Sequence, residues 1–370
     1  MKITLNDAGN GDCILIQSNN TNILIDGGTA TSFSEWYPKI KALDKIDALF
    51  ITHIDDDHTN GIIKFLEVNE KSKTPIKIKS IYFNGIEQLF NIPTEESDEY
   101  DDKYDSINTC FENTEGVEEV GFSEGTSLSY ILKNKITNIK VIHNENFKEI
   151  ENIGDFTIEL IGPSLNSIEE LKNSWNDILD ERLIKRKILT KNHKNAFESY
   201  VNSLNEKLTV QQYISSEDFM DINSYADSKY EKDSSLANKT SFSFLLTYED
   251  KSFLMLGDSH IETILDWLRK KDDLLSLDAV KVSHHGSKFN INREFLELID
   301  CNRYLISTNG KKHNHPDIET LARIAKFSKK DNTQIIINNH IEHITEDLLS
   351  TFSDYENQTN IMMNQKEVIL

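Results

Sequence analysis

The sequence predicts an α/β fold: two mixed sheets packed face to face, helices on the outside, and a helical insertion in the middle. Three observations carry this expectation. Short β-branched runs, each followed by helical periodicity, recur in both halves of the chain. A stretch rich in Asn, Lys, Glu and Ser, with helical spacing and no strand pattern, separates those halves. Residues able to bind metal recur at the ends of apolar strands, where sheets gather their functional side chains.

The elements follow in order. KITLND, CILIQS and NILIDGG read as strands separated by Gly-Asn-Gly-Asp and Asn-Asn-Thr-Asn turn chemistry. A helix is expected from about Phe33 to Leu43, with Trp36, Ile40 and Leu43 on one face. The buried strand IDALFITH delivers His53 at its end, and GIIKFLE begins a helix packed back on the sheet. Further strands are expected at KIKSIYFN, KVIH and FTIELIGP, and the acidic segment 94–105 is expected to be a solvated loop. Residues 1–164 thus form a first half, 165–233 a helical insertion or cap, and 234–370 a second half. In that second half TSFSFLLTYEDKSFLMLGD reads as a hairpin turning at Tyr-Glu-Asp-Lys. Helix IETILDWLRKK, strand LDAVKVSHHG, helix NREFLELID, strand RYLISTNG, helix DIETLARIAKF and strand QIIINN come after it.

Bulk properties exclude some classes. The 38% hydrophobic content supports a substantial core, yet no run approaches the roughly 20 apolar residues of a membrane span. The first residues lack the basic and apolar regions of a signal peptide. Cys13, Cys110 and Cys301 are scattered and odd in number, so reduced thiols in a cytoplasmic protein are expected. A net charge of −22 argues against a surface that binds nucleic acid all over, but leaves room for a local basic groove.

The chemistry lies in four constellations. In His53-Ile-Asp55-Asp56-Asp57-His58, a turn after a buried strand can aim several ligand-type side chains at one spot. Asp258 ends the apolar strand SFLMLGD, although alone it reads as a helix N-cap. His284 and His285 close the strand DAVKV, in Ser-His-His-Gly-Ser. His313-Asn-His315-Pro316 lies in a polar loop and, taken alone, reads as exposed.

Taken in order, GDCILIQ…NILIDGG, IDALFITHIDDDHTNG, FLMLGD, VKVSHHGS and HNHP resemble the metallo-β-lactamase superfamily. The resemblance is greatest to the hydrolase domain of ComEC-type competence proteins and their stand-alone relatives. It implies an αββα metallo-β-lactamase sandwich with two divalent metal ions, Zn²⁺ or Mn²⁺. By resemblance His53 and Asp55 hold one metal, Asp57 and His58 the other, Asp258 bridges, and His284 is the late histidine, with His285 as its fallback. The family's His-x-His-x-Asp-His carries Asp55 in place of its second histidine here. Asn238 stands where many members supply another histidine, which makes the site richer in oxygen and Mn²⁺ more plausible.

The reaction expected is hydrolysis by metal-activated water, with Asp57, as the resemblance implies, orienting the nucleophile and His285 or His315 as acid candidates. Asn238, Ser287 and Lys288 are candidates for substrate contact, Lys288 as a phosphate ligand or simply an exposed loop lysine. A phosphodiester, in nucleic acid or a nucleotide, is the first substrate reading. A small ester, lactone or thioester is the second. The third is a metal-binding but weakly active module that meets a protein partner through residues 165–233. The basic run at 182–197 could wall the site, or be one face of a solvated helix.

Overall fold

The computed structural model describes residues 1–91, 98–111, 127–146, 152–184, 190–204 and 221–370. In chain order the first half gives β1 (Lys2–Leu5), β2 (Ile14–Gln17), β3 (Asn22–Ile25), β4 (Lys45–Ile46), β5 (Ala48–Phe50), β6 (Lys77–Ile78) and β7 (Ile81–Tyr82). Next come β8 (Asn152–Ile153), β9 (Phe156–Gly162), β10 (Ser243–Tyr248), β11 (Lys251–Met255), β12 (Leu275–Ser276) and β13 (Ala279–Lys281). The last are β14 (Ile299–Asp300), β15 (Arg303–Ile306), β16 (Gln334–Ile337), β17 (Asn360–Met362) and β18 (Glu367–Ile369).

Two large sheets result, ordered β18-β1-β2-β3-β5-β7 and β17-β16-β15-β13-β11-β10-β9-β8. The first joins an antiparallel β18-β1-β2-β3 part to parallel β3-β5-β7. The second joins antiparallel β8 to β11 with a parallel run from β11 through β17.

Alternation along the strands builds four layers. On β2, Ile14 and Ile16 enter the core between the sheets, while Leu15 faces the helices of the first half. On β11, Phe253 and Met255 face the first sheet, while Leu254 faces the outer helices of the second half. One inter-sheet core and two sheet–helix cores therefore follow from a period of two. This is an αββα sandwich.

Helix Asp56–Lys71 begins inside the first ligand motif, with Asp57 and His58 in its first turn. It can lie against the turn after β3 because residue 61 is glycine: a Cβ there would stand 1.9 Å from the Gly27 carbonyl oxygen. Gly11 has the same role, since its Cβ would lie 1.6 Å from the Asp57 carbonyl oxygen. Gly61 thus lets the helix lie on the turn after β3, and Gly11 lets the loop between β1 and β2 press onto the first turn of the helix.

Two expectations are corrected. The acidic stretch is not a loop throughout, because Asp98–Phe111 is a helix; residues 92–97 lie outside the described ones. Tyr104 and Ile107 are buried three residues apart, and the Tyr104 ring stacks on His193 at 4.1 Å, so a single apolar stripe outweighs the surrounding charge. The KVIH segment forms no strand. The Asn84 side chain takes the place of a neighbouring strand there: it donates to the Ile142 carbonyl at 2.7 Å and accepts from its N–H at 2.8 Å.

Between 165 and 233 the structure has helices Leu165–Glu181, Lys191–Ser203 and Ile222–Ala226. The first two pack Ile168, Leu171, Trp175 and Phe197 into the core of the first half. The third packs Ile222 and Tyr225 into that of the second half. Part of the basic run, residues 185–189, lies outside the described ones; Lys194 is buried against Glu87. Cys13 and Cys301 are buried free thiols, and the Cys110 side chain lies outside the described ones. Among the described residues, no helix is long and apolar enough to cross a membrane.

Candidate metal centre

The ends of β3, β5, β11, β13 and β15 meet the loop between β1 and β2 at one buried point. Asp12, His58, Asp258 and His285 each place one ligand-type atom within 4.8 Å of the others there. His58 Nε2 lies 3.3 Å from Asp258 Oδ2 and 3.4 Å from His285 Nε2, and His285 Nε2 lies 3.3 Å from Asp258 Oδ2. Asp57 Oδ2 stands at the edge, 3.8 Å from His285 Nε2. A tetrahedral ion with ligands about 2.0–2.1 Å away separates them by about 3.3–3.4 Å. The two imidazoles and the Asp258 carboxylate already have that spacing.

Neighbouring groups fix which ring nitrogen faces inward. His58 Nδ1 donates to Asp26 Oδ2 at 2.8 Å, which leaves Nε2 for the centre. Asp26 is held in turn by the Thr52 N–H at 2.8 Å and the Thr52 hydroxyl at 2.7 Å. His285 Nδ1 donates to the Ser307 carbonyl at 2.9 Å. Such outer partners set tautomer and ring orientation in metal-binding histidines. With its proton on Asp26, the Thr52 oxygen accepts from His53 Nδ1 at 2.9 Å, so His53 also turns Nε2 outward. That atom lies 3.2 Å from Asp55 Oδ2, a second pair beside the main group, and the His53 and His58 rings are 4.4 Å apart.

Burial and charge oppose each other throughout the group. Burial alone would lower the His58 imidazole, but Asp258 and Asp26 hold it well above its ordinary value. Burial likewise opposes the charge on His285, and Asp258 and Asp12 raise it. Burial works to raise Asp57, yet His58 and His285 pull it well below the usual carboxylate range. At Asp55 burial prevails and the carboxyl is raised. The protons on His58 and His285 balance the carboxylates, and metal ligation would replace them. Asp258 Oδ1 is buried without a hydrogen-bond partner, and the Lys281 ammonium stands 3.7 Å from it.

Of the two adjacent histidines, His285 enters this group and His284 does not. Both have left-handed backbone, φ 45° and 55°, so the pair turns sharply instead of alternating across a strand. His284 Nδ1 donates to Asn290 Oδ1 at 3.1 Å and lies 3.5 Å from Asp233 Oδ2. Asn238, expected to touch substrate, donates to Asp233 at 2.8 Å and braces His284. Burial would lower His284, but Asp233 and Asp258 raise it to about 9. The His284 ring lies 5.4 Å from His315, and His315 lies 5.7 Å from His313, forming a rim of imidazoles. Burial holds His315 below its ordinary value and pushes His313 down to about 3.

The remaining substrate candidates turn to internal partners. Ser287 is buried and closes its own turn, its N–H donating to the His284 carbonyl at 2.9 Å. Lys288 donates to Glu319 at 3.0 Å, and its N–H is held by Asp317. Sequence reading missed Asp12, Asp26, Asp233 and Lys281. Asp12 and Asp26 sit beside glycines and so look like turn residues, although Asp26 ends an apolar strand in the same way as the ligands found.

Fold and site together define an αββα protein with a buried four-residue group of Asp and His that could hold a metal ion. Residues 6–129 of the 370 match the model of the Metallo-beta-lactamase superfamily, whose members are mostly hydrolytic enzymes that bind divalent metals. The fold is the metallo-β-lactamase fold. Among solved structures, the chain is similar to the metallo-beta-lactamase fold protein YhfI from Bacillus subtilis: 12% identity, 100% of this chain and 99% of that one, TM-score 0.40. It is similar to a diphosphatase from the PhnP family at 10% identity, covering 100% and 97%, TM-score 0.38. Its similarity to a long form RNase Z from yeast is 10% identity over 99% of this chain and 45% of that one, TM-score 0.39. Likeness at this level says nothing of activity.

Proposed function

We propose that the chain is a metal-dependent phosphodiesterase acting at the His58–Asp258–His285 group. The observation that carries the reading is the spacing of His58 Nε2, His285 Nε2 and Asp258 Oδ2 at 3.3–3.4 Å, with Asp57 at the edge and imidazoles along the rim. His58, His285, Asp258 and Asp57 would hold one divalent ion, and His53 with Asp55 offers a place for a second. A divalent ion there supplies Lewis acidity and water activated near neutral pH.

The chain's own residues do the rest. Asp57 accepts from the Asn10 amide at 3.1 Å and is oriented to hold a proton on the incoming water. His285 is committed to the ligand group, and burial keeps His315 neutral. The leaving oxygen therefore falls to His284, whose Nδ1 is anchored and whose side chain is 22% exposed at the rim. The rim of His284, His313 and His315 supplies N–H donors suited to the non-bridging oxygens of a phosphodiester, a set that a neutral lactone does not require.

Turnover of bis-p-nitrophenyl phosphate with Mn²⁺ or Zn²⁺ tests this reading. Activity should vanish with chelator and in Asp57→Ala, with the fold intact by circular dichroism. Turnover of lactones or esters alone would replace the phosphodiesterase reading with the small-substrate one. Stoichiometric metal with no turnover of either would leave a binding module.

A further inference from the structure

Lys281 lies at the end of β13, under the metal group, and is fully buried. Along this strand Val280 and the following Val282 face the outer helices, while Ala279 faces the inter-sheet core. Alternation therefore sends Lys281 between the sheets. Its strand partners there are Met255 and Leu305, both apolar and both in that core. An apolar side chain would pack equally well, so burial gives no reason for an ammonium at this position.

The acceptors around it supply the reason. Lys281 Nζ pairs with Asp12 Oδ2, donates to the Gly257 carbonyl at 3.2 Å and lies 3.7 Å from Asp258 Oδ1. The ammonium donates to one carbonyl and sits at ion-pair distance from two carboxylates. Asp12 comes from the loop between β1 and β2 of the opposite sheet, and its backbone is fixed by the Gly28 N–H at 2.8 Å. The next residue back, Gly11, accepts from the Ser307 hydroxyl at 2.9 Å. The ammonium thus joins the two halves directly beneath the ligands. Asp12 also has its Oδ1 3.5 Å from His285 Nδ1, the ring nitrogen that points away from the centre.

We propose that Lys281 is a positioning residue that divides the four-residue cluster into ligands and support. Its fixed charge engages Asp12 and one oxygen of Asp258. Asp258 then presents Oδ2 to the cation, while Asp12 is an outer partner of His285 and not a ligand. This deepens the proposed function and rests on the same metal group. Its test reads metal binding and so does not depend on which substrate is cleaved.

The full chain is stripped with chelator and titrated with Zn²⁺ against a competing chelator, and with Co²⁺ followed by its visible absorption. Lys281→Met should lower Zn²⁺ affinity about 10–100-fold, the usual cost of losing a partner that orients ligands. Asp12→Asn should keep the wild-type Co²⁺ bands, whereas Asp258→Asn should change them. The double variant Lys281→Met/Asp12→Asn should bind Zn²⁺ no more weakly than Lys281→Met alone, because the two residues act as a unit. Zn²⁺ affinity of Lys281→Met within twofold of wild type would overturn the proposal. So would Co²⁺ bands in Asp12→Asn that shift as they do in Asp258→Asn. If Lys281→Met does not fold, the two Co²⁺ spectra still decide whether Asp12 is a ligand. Normal metal results without phosphodiester turnover would sink the proposed function and leave this assignment standing.

Discussion

The Asp26 carboxylate accepts from His58 Nδ1 at 2.8 Å, and both side chains are fully buried. This contact decides that Nε2, not Nδ1, faces Asp258 and His285. Asp26→Asn retains the shape but can present its N–H₂ to the ring, allowing the wrong tautomer. Metal affinity should fall about 10–100-fold without loss of the fold, read by chelator competition and circular dichroism. Unchanged affinity would mean that the strand ends alone orient His58.

The adjacent histidines should separate cleanly. His285→Ala removes an atom 3.3 Å from Asp258 and 3.4 Å from His58, so bound metal should drop below wild-type stoichiometry. His284→Ala removes a residue held by Asn290 and Asp233, so bound metal should stay at the wild-type level while turnover falls. Elemental analysis of both variants, beside turnover, checks this. The opposite pattern would reverse the assignment.

Metal-free stability should fall with rising pH. Burial acts to lower His284, but the Asp233 and Asp258 carboxylates win and raise it from 6.5 to about 9. Protonated His284 therefore favours the folded state. That contribution is complete below about pH 6.5 and is lost as pH rises through about 9. His58 and His285 are shifted in the same direction. Thermal melts in chelator should show the midpoint declining across this window, with a shallower decline in His284→Ala. A flat profile for the wild type would refute the charged His284.

Gly11→Ala should damage the site from outside it. The added carbon would stand 1.6 Å from the Asp57 carbonyl oxygen, so the loop or the first turn of the helix must move. Overpacking of this kind costs about 1–3 kcal/mol. Both the melting midpoint and metal affinity should fall. A melting loss with unchanged affinity would show that Asp12 and Asp57 move together.

Much of the candidate site was legible because the ligand-type side chains sit where apolar strands stop. His53 through His58 and Asp258 follow that rule, and the layer architecture follows from alternation in strands such as β2 and β11. What could not be read depends on backbone turns or on partners far away in the chain. Periodicity cannot choose between His284 and His285 when both adopt left-handed backbone. Lys281 looks like an ordinary strand lysine until β2's preceding loop brings Asp12 across from the other sheet. The 98–111 helix was hidden by charge, since among its described side chains only Tyr104 and Ile107 show its buried side.

His58 and His285 are 227 residues apart in sequence, yet their Nε2 atoms are 3.4 Å apart. An ion shared by them would tie the two parts of the chain together as a reversible crosslink does. Holding such a long loop closed restricts the unfolded chain as well as organising the folded one. Removing the ion should therefore loosen the join between the two sheets along with the chemistry, and chelation should be felt as lost cohesion across the whole sandwich.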